Sequence, residues 1–270
     1  MTRLIVFLSD YGLEDEFAGV CRGVMAQIAP DARIVDLTHA VPRHDVTQGA
    51  LTLARSAPFM PPDAVFLAVV DPGVGSARRP VALEASKGAF LVGPDNGLLM
   101  PAAAALGGVA RAVHITSPRV VLPSVSSTFH GRDLFAPAAA HLAAEAGLEE
   151  LGPSIDPGTL EDVTVPVPEI GRGTVECSVL SIDGFGNVQL NVQESDLMQV
   201  GLSGESELSV RTPREERTVS RVHTFSDAPE GEVVALLDSS GYLALVANRG
   251  HTAKLLSLEP GDTVIVARVG

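Results

Sequence analysis

The stretch Ala-Val-Phe-Leu-Ala-Val-Val at residues 64–70 leads directly into Asp-Pro-Gly-Val-Gly-Ser at residues 71–76. A continuous apolar run of this length, ending in turn-forming residues, is typical of a strand buried on both faces. Residues 4–9 and 34–37 show the same pattern. These three segments therefore predict the core strands of a mainly parallel sheet.

Helical patterns lie between the predicted strands. Residues 15–28 place apolar side chains on one helical face before Pro30, and residues 45–56 form a second helical segment before Pro58. The alternation continues with strands near 80–85, 89–93 and 110–116 and helices near 98–106 and 133–146. Because strands and helices alternate, we expect a mainly parallel α/β sandwich domain over residues 1–160.

The pattern changes after residue 153. Proline and glycine are frequent between residues 153 and 173, which predicts a linker at residues 161–172. Residues 173–270 contain short β-type segments separated by turns and no convincing long helix. The β-type segments are 174–182, 186–192, 206–211, 217–222, 232–237, 242–247 and 262–268. We therefore expect a smaller, antiparallel, β-barrel-like C-terminal domain.

Composition restricts the class of protein. The 270 residues carry a formal net charge of −14 and no run of basic residues, so nucleic-acid binding is not expected. The chain has no apolar run long enough for a membrane span and no signal-peptide pattern. Its two cysteines, Cys21 and Cys177, are far apart, which fits a reducing compartment. We expect a soluble cytoplasmic protein.

Polar side chains follow the predicted strands in three loops, at residues 9–12, 71–76 and 127–133. In open α/β sheets, ligands bind beyond the carboxyl ends of the strands. Asp10 could accept hydrogen bonds from a ribose diol, or it could cap the next helix. The glycine-containing loop at 71–76 could bring backbone close to a ligand, or it could be a tight turn.

His130 is a further site candidate because it lies in a polar loop, although it could instead cap the helix that follows. The remaining histidines have no spacing that suggests a metal site, so we expect no metal. In the C-terminal part, Asn187 could contact an adenine edge and Phe185 could stack on the base. The alternative for Asp183-Gly184 and its neighbours is a plain hairpin turn.

Six motifs occur in one order along the chain. They are Ser-Asp-Tyr-Gly at 9–12, Asp-Leu-Thr-His at 36–39, Val-Val-Asp-Pro-Gly-Val-Gly-Ser at 69–76, Gly-Pro-Asp-Asn-Gly at 93–97, Ser-Thr-Phe-His-Gly-Arg-Asp at 127–133 and Ile-Asp-Gly-Phe-Gly-Asn at 182–187. Together they resemble the S-adenosylmethionine hydroxide adenosyltransferase family of S-adenosylmethionine hydrolases. The fluorinases and chlorinases are related to this family.

The resemblance implies a metal-free enzyme without a cofactor that hydrolyses S-adenosylmethionine to adenosine and methionine. It also implies a homotrimer whose sites lie between subunits. The catalytic set would be Asp71, Arg78 and His130, with Arg79 as a competitor for Arg78. These three side chains would hold one water for in-line attack on C5′ of the ribose. The substrate-binding residues would be Asp10, Tyr11, Thr128, Phe129, Asp183, Phe185, Asn187, Phe225 and Ser239.

Departures from the pattern leave alternatives open. Halogenases carry a tyrosine where this chain has Asp71, and a carboxylate at that position would repel a halide. Tyr11 replaces a more usual phenylalanine, and Ser240 stands where halogenases carry an arginine for the methionine carboxylate. The alternatives are a halogenase, a binding protein without turnover, and a metal-dependent hydrolase that would use Asp10, Asp71, His130 and Asp133.

Overall fold

The computed structural model describes residues 2–270 and divides into two units, Met1–Thr164 and Val165–Gly270. The division falls inside the segment 161–172 that the sequence predicts as a linker. Part of that segment, Glu169–Ile170, is a short strand that pairs with the next strand of the second unit.

The first unit is built on a seven-stranded sheet. Its strands are β1 (Ile5–Ser9), β2 (Ile34–Thr38), β3 (Val65–Val69), β4 (Pro80–Ala85), β5 (Phe90–Pro94), β6 (Val109–His114) and β7 (Ser154–Ile155). They lie in the order β2-β1-β3-β5-β4-β6-β7. Strands β2, β1, β3 and β5 pair in parallel, and the remaining neighbours pair antiparallel.

Four helices accompany this sheet: α1 (Phe17–Ile28), α2 (Val46–Ser56), α3 (Met100–Ala105) and α4 (Ala136–Ala143). Short 3-10 turns occur at Ala57–Phe59, Leu148–Leu151 and Pro157–Thr159. The helix predicted at 133–146 begins differently in the structure, where a π-helical turn at Gly131–Phe135 precedes α4. Pro137 has no N–H to donate to the carbonyl of Asp133, and that carbonyl accepts the N–H of Leu122 at 2.9 Å instead.

Strand β1 shows why a continuous apolar run was needed. Ile5 and Phe7 pack on one face of the sheet with residues of α1 and α4. Val6 and Leu8 pack on the opposite face with residues of α2 and α3. Because successive side chains of a strand point to opposite faces, a strand between two helical layers must be apolar at every position.

The second unit is an antiparallel sheet. Its strands are β8 (Glu169–Ile170), β9 (Thr174–Ile182), β10 (Val188–Gln193), β11 (Glu207–Arg211), β12 (Glu216–Ser220), β13 (Val233–Leu237), β14 (Tyr242–Ala247) and β15 (Thr263–Arg268). The order is β12-β11-β15-β9-β10-β14-β13, with β8 beside β9. A bridge between Arg221 and Ala235 joins the two edges, so the sheet is nearly closed into a barrel.

The predicted fold class is therefore confirmed: an α/β unit with a parallel-containing sheet is followed by a barrel-like β unit. Two short helices of the second unit, α5 (Glu194–Gln199) and α6 (Thr252–Leu256), were not predicted. A helix of one to two turns shows no clear periodicity of apolar residues. A 3-10 turn lies at Phe225–Asp227. None of the helices within residues 2–270 is long and apolar enough to cross a membrane.

Candidate active site

A cavity of about 270 Å³ lies at the carboxyl ends of β1 and β3 in the first unit. Side chains from all three loops singled out in the sequence line it. They include Asp10, Tyr11, Asp71, Thr128, Phe129 and His130. The parallel pairing of β1 with β3 places the loops that follow them at the same edge of the sheet.

Asp71 and Arg78 form a buried ion pair beside this cavity. The Nε atom of Arg78 donates to Oδ1 of Asp71 at 2.8 Å, and Nη2 donates to the other carboxylate oxygen. The two side chains are only 6% and 10% exposed. Two parallel hydrogen bonds to one carboxylate fix both groups in one geometry. The guanidinium also lies over the ring of Phe135, at 5.0 Å from its centroid.

His130 completes this group. Nη2 of Arg78 donates to Nδ1 of His130 at 2.9 Å, so the neutral imidazole carries its proton on Nε2. Burial, and then the positive charge of Arg78, lower the pKa of His130 below its usual value. The side chain makes no capping hydrogen bond to the helical turn that follows. The capping alternative for His130 is therefore wrong.

The structure separates Arg78 from its neighbour Arg79. Nε of Arg79 donates to Asp95 at 2.7 Å, and its Nη atoms donate to the side chain and carbonyl of Thr159. Arg79 therefore belongs to a different contact, and Arg78 is the arginine that joins Asp71 and His130.

Asp10 presents a carboxylate to the cavity. Its Oδ2 accepts the N–H of His44 at 2.9 Å, and its Oδ1 has no hydrogen-bond partner among residues 2–270. The N-cap residue of α1 is Glu16, so the helix-capping alternative for Asp10 is wrong. A carboxylate with a free oxygen can accept a hydrogen bond from a ligand hydroxyl.

Two glycines permit the close approach of these loops. Gly75 has a φ of +78°, and a Cβ atom there would lie 2.5 Å from the carbonyl oxygen of Ser127. A Cβ atom on Gly131 would lie 1.9 Å from the hydroxyl oxygen of Tyr11. The loop at 71–76 thus combines both sequence-based alternatives: it is a tight turn, and it lines the cavity. Burial raises the pKa of Tyr11 well above its usual value, so its hydroxyl keeps its proton.

The four residues of the metal-dependent alternative are not gathered at one point. Asp133 is fully buried, and its carboxylate accepts hydrogen bonds from Arg132 and from the N–H of Ser126. In the described chain, residues 2–270, no group of three or more His, Cys, Asp or Glu side chains could hold a metal ion.

The remaining predicted site residues lie in the second unit. Asp183 accepts the N–H groups of Phe185 and Asn187 at 2.9 Å, and Nδ2 of Asn187 donates to Asp183 at 2.8 Å. These contacts build the predicted hairpin turn. Phe185 is 81% exposed and Phe225 is 50% exposed. Ser239 is exposed and belongs to the turn that links β13 to β14.

Two models of one protein family match this chain. The model of the SAM hydroxide adenosyltransferase N-terminal domain matches residues 5–152, and that of the C-terminal domain matches residues 177–265. The chain belongs to the SAM hydroxide adenosyltransferase family.

Individual relatives cover nearly the whole chain. The (R)-S-adenosyl-L-methionine hydrolase of Salinispora tropica is 49% identical over 268 residues, 98% of each chain. A fluorinase of an Actinoplanes species is 30% identical and covers 98% of this chain and 97% of its own. The crystal structure of an uncharacterized conserved protein from Thermotoga maritima superposes with a TM-score of 0.91. That structure is 34% identical and covers 98% of this chain and 100% of its own.

The sequence analysis did not identify two residues that line this cavity. Arg43 and His44 also line it, after the carboxyl end of β2. His44 adopts a φ of +66°, which is uncommon for a residue with a side chain. The strand-end rule could have found this loop, because β2 pairs in parallel with β1 and ends at the same edge.

Proposed function

We propose that this protein hydrolyses (R)-S-adenosyl-L-methionine to adenosine and L-methionine. The observation that carries the proposal is the buried contact of Asp71, Arg78 and His130 beside a cavity that also contains Asp10. The (R)-S-adenosyl-L-methionine hydrolase of Salinispora tropica, which is 49% identical over nearly the whole chain, supports the same reaction and the same sulfonium epimer.

The reaction forms one bond and breaks another at C5′ of the ribose. The oxygen of a water molecule bonds to C5′ while the bond between C5′ and sulfur breaks. The electron pair of the breaking bond stays on sulfur. Methionine leaves as a neutral thioether, so no acid is needed to assist the leaving group. The water loses one proton, and the products are adenosine, methionine and that proton.

The protein's task is to place the water in line with the leaving sulfur. Both oxygens of Asp71 already accept hydrogen bonds from Arg78, so this carboxylate is suited to holding a water hydrogen in a fixed direction. It can receive the proton late, when the forming C–O bond has made the water acidic. Arg78 stabilises the negative charge of this group, and the Nε2–H of His130 is free to donate to the water oxygen.

Asp10 would hold the ribose hydroxyls through its unpartnered oxygen. Tyr11, Thr128 and Phe129 would form the wall of the site. The family resemblance assigns Asp183, Phe185, Asn187, Phe225 and Ser239 to the adenine and methionine ends of the ligand. The exposed aromatic rings among them are suited to stacking on a base.

We also propose a homotrimer in the cytoplasm, without a metal or other cofactor. The acidic chain, without basic runs and with two separated cysteines, supports the location. Sedimentation should give about three times the chain mass of 28.0 kDa. Activity should persist in excess chelator. A monomeric mass would contradict the homotrimer. Activity that chelator abolishes and metal restores would contradict a metal-free enzyme.

The deciding experiment incubates the purified protein with a mixture of the two sulfonium epimers. Adenosine and methionine should appear in equal amounts, and the (S) epimer should remain. Asp71→Asn should lower kcat by about 10²-fold or more, since it disturbs the water-holding group. The exposed Asp63→Asn is the matched control and should leave kcat unchanged.

Two other outcomes would point to the alternative functions. Formation of 5′-halo-adenosine with chloride or fluoride would favour a halogenase, as the fluorinase relative would suggest. The buried carboxylate of Asp71 argues against it, because a halide at short distance would meet a like charge. Saturable binding of S-adenosylmethionine by calorimetry without release of methionine would favour a binding protein.

A further inference from the structure

A second chain of hydrogen bonds lies beneath the loop that carries Asp10. The hydroxyl of Ser9 lies 2.7 Å from Nδ1 of His39, and Nε2 of His39 lies 3.0 Å from Oδ1 of Asp36. Ser9 is fully buried and His39 is 3% exposed. The Asp71, Arg78 and His130 group uses none of these three residues.

The direction of each hydrogen bond in this chain can be assigned. The hydroxyl oxygen of Ser9 accepts the N–H of Tyr11 at 3.3 Å. The carboxylate of Asp36 can only accept, so the ring proton of His39 lies on Nε2, and Nδ1 accepts the hydroxyl proton of Ser9. Nε2–H of His39 then donates to Asp36. The other oxygen of Asp36 pairs with Arg22 at 3.0 Å. The side-chain donors of Ser9 and His39 therefore each have an acceptor, as buried polar groups require.

This Ser-His-Asp arrangement is not suited to nucleophilic catalysis. The hydroxyl of Ser9 has no exposure, so no substrate atom can approach it. The ring of His39 is further fixed by an edge contact with Phe7, at 4.6 Å between centroids. The arrangement can hold backbone in place, and the backbone it contacts is the loop that follows β1.

The loop at residues 10–12 is held from two sides by His39. The carbonyl of His39 accepts the N–H of Gly12 at 2.7 Å, and its ring holds the Ser9 hydroxyl that accepts the N–H of Tyr11. In the sequence, Asp10 lies between Ser9, which the ring of His39 holds, and Gly12, which its carbonyl holds. Its carboxylate faces the cavity and accepts the N–H of His44.

We infer that Ser9, His39 and Asp36 are positioning residues that fix the carboxylate of Asp10 for a ligand hydroxyl. For the identity of the ligand, an adenosine-containing molecule, this inference rests on the proposed function. Without the hydrogen bonds among Ser9, His39 and Asp36, residues 10–12 would move by a fraction of an ångström. That movement would weaken the directional hydrogen bond from the ligand hydroxyl to Asp10 without unfolding the sheet.

The test uses Ser9→Ala, since the smaller side chain fits the space that serine occupies. Adenosine is the probe, and its Kd is measured by calorimetry. Ser9→Ala should raise that Kd about tenfold, the size expected for the loss of one hydrogen bond. KM should rise with it, while kcat changes little. Ser56→Ala is the matched control, because its hydroxyl donates to Thr52 at a similar 2.8 Å in α2; it should leave Kd unchanged.

A double-mutant cycle separates positioning from a general structural role. In an Asp10→Ala background, Ser9→Ala should have almost no further effect on Kd, because the group it positions is gone. Equal effects in both backgrounds would overturn the inference. His39→Asn keeps an acceptor near the Nδ1 position and should recover most of the affinity that His39→Ala loses.

A ligand-independent measurement keeps the inference testable by itself. Amide hydrogen exchange of Tyr11 and Gly12 should speed up in Ser9→Ala and stay unchanged in Ser56→Ala. Unchanged exchange, or unchanged Kd in a protein that hydrolyses its substrate normally, would overturn the inference. A wild-type protein that neither binds adenosine nor hydrolyses S-adenosylmethionine would instead overturn the proposed function.

Discussion

Nη2 of Arg78 lies 2.9 Å from Nδ1 of His130. Since a guanidinium can only donate, Nδ1 accepts, and the imidazole proton is held on Nε2. The same guanidinium holds both oxygens of Asp71. One arginine therefore sets the direction of the carboxylate and the tautomer of the histidine.

The protonation of His130 should limit activity at low pH. Burial and the charge of Arg78 lower its pKa from the usual 6.5, so the neutral form dominates above that pH. Protonation would remove the acceptor that Nη2 of Arg78 uses. We expect kcat/KM to be constant near neutrality and to fall as pH decreases through a pKa below 6.5.

The unfolded chain takes up this proton more readily than the folded protein, so the contribution of His130 to stability should also decrease as pH falls below 6.5. The acid limb of kcat/KM should be absent or shifted in His130→Gln. An acid limb that is centred above pH 6.5, or that is identical in the variant, would contradict this assignment.

Arg78 and Arg79 should behave differently when each is replaced by alanine. Arg78→Ala should lower kcat by about 10²–10³-fold, because it removes the charge that fixes Asp71 and His130. Arg79→Ala should leave kcat within about twofold and lower the free energy of unfolding by about 1–3 kcal/mol, since Asp95 loses its charged partner and keeps only the N–H of Glu161. Steady-state kinetics and urea unfolding would measure both effects. The reverse pattern would assign the site to Arg79.

Gly131→Ala should damage the cavity through Tyr11. The added Cβ atom would lie 1.9 Å from the hydroxyl oxygen of Tyr11, but 3.0 Å from the ring carbon that carries the hydroxyl. Removing the hydroxyl should therefore relieve most of the collision. We expect Gly131→Ala alone to lower kcat/KM strongly, and the pair Gly131→Ala with Tyr11→Phe to recover a large part. Tyr11→Phe alone serves as the control, and additive losses would show that the collision does not matter.

The two cysteines should be unreactive in the folded protein. Burial raises the pKa of Cys21 and of Cys177 to about 12, and thiolate is the reactive form. A thiol reagent should label neither cysteine at neutral pH, and both after denaturation. Mass spectrometry of labelled peptides would measure this. Rapid labelling of Cys21 would show that α1 opens away from the sheet.

Most of the fold could be predicted because its signals are local. The strand at 65–69 sits between two helical layers, and its sequence is apolar at every position for that reason. Shorter elements escaped prediction. Helix α6 at Thr252–Leu256 is too short for its pattern to repeat. In the π-helical turn at Gly131–Phe135, the carbonyl of Asp133 accepts the N–H of Leu122, which lies outside the helix, and the sequence does not show that contact.

The site was partly predictable for the same reason. Asp10, Asp71 and His130 follow apolar runs or lie in a polar loop, and polar residues at strand ends are a recognisable signal. Arg43 and His44 carry no such signal beyond their place after β2. The support that His39 gives to the loop at 10–12 is a matter of atomic distances, which the motif alone does not show.

The amino-acid sequence by itself determined the layered fold, the family and the residue types at the strand ends, since periodicity and motif order need no spatial information. Only the tertiary structure shows which of Arg78 and Arg79 contacts Asp71 and His130. The two arginines are chemically identical and adjacent, and what distinguishes them is the direction in which each side chain leaves the backbone. That direction carries Arg78 to a histidine 52 positions away and Arg79 to Asp95.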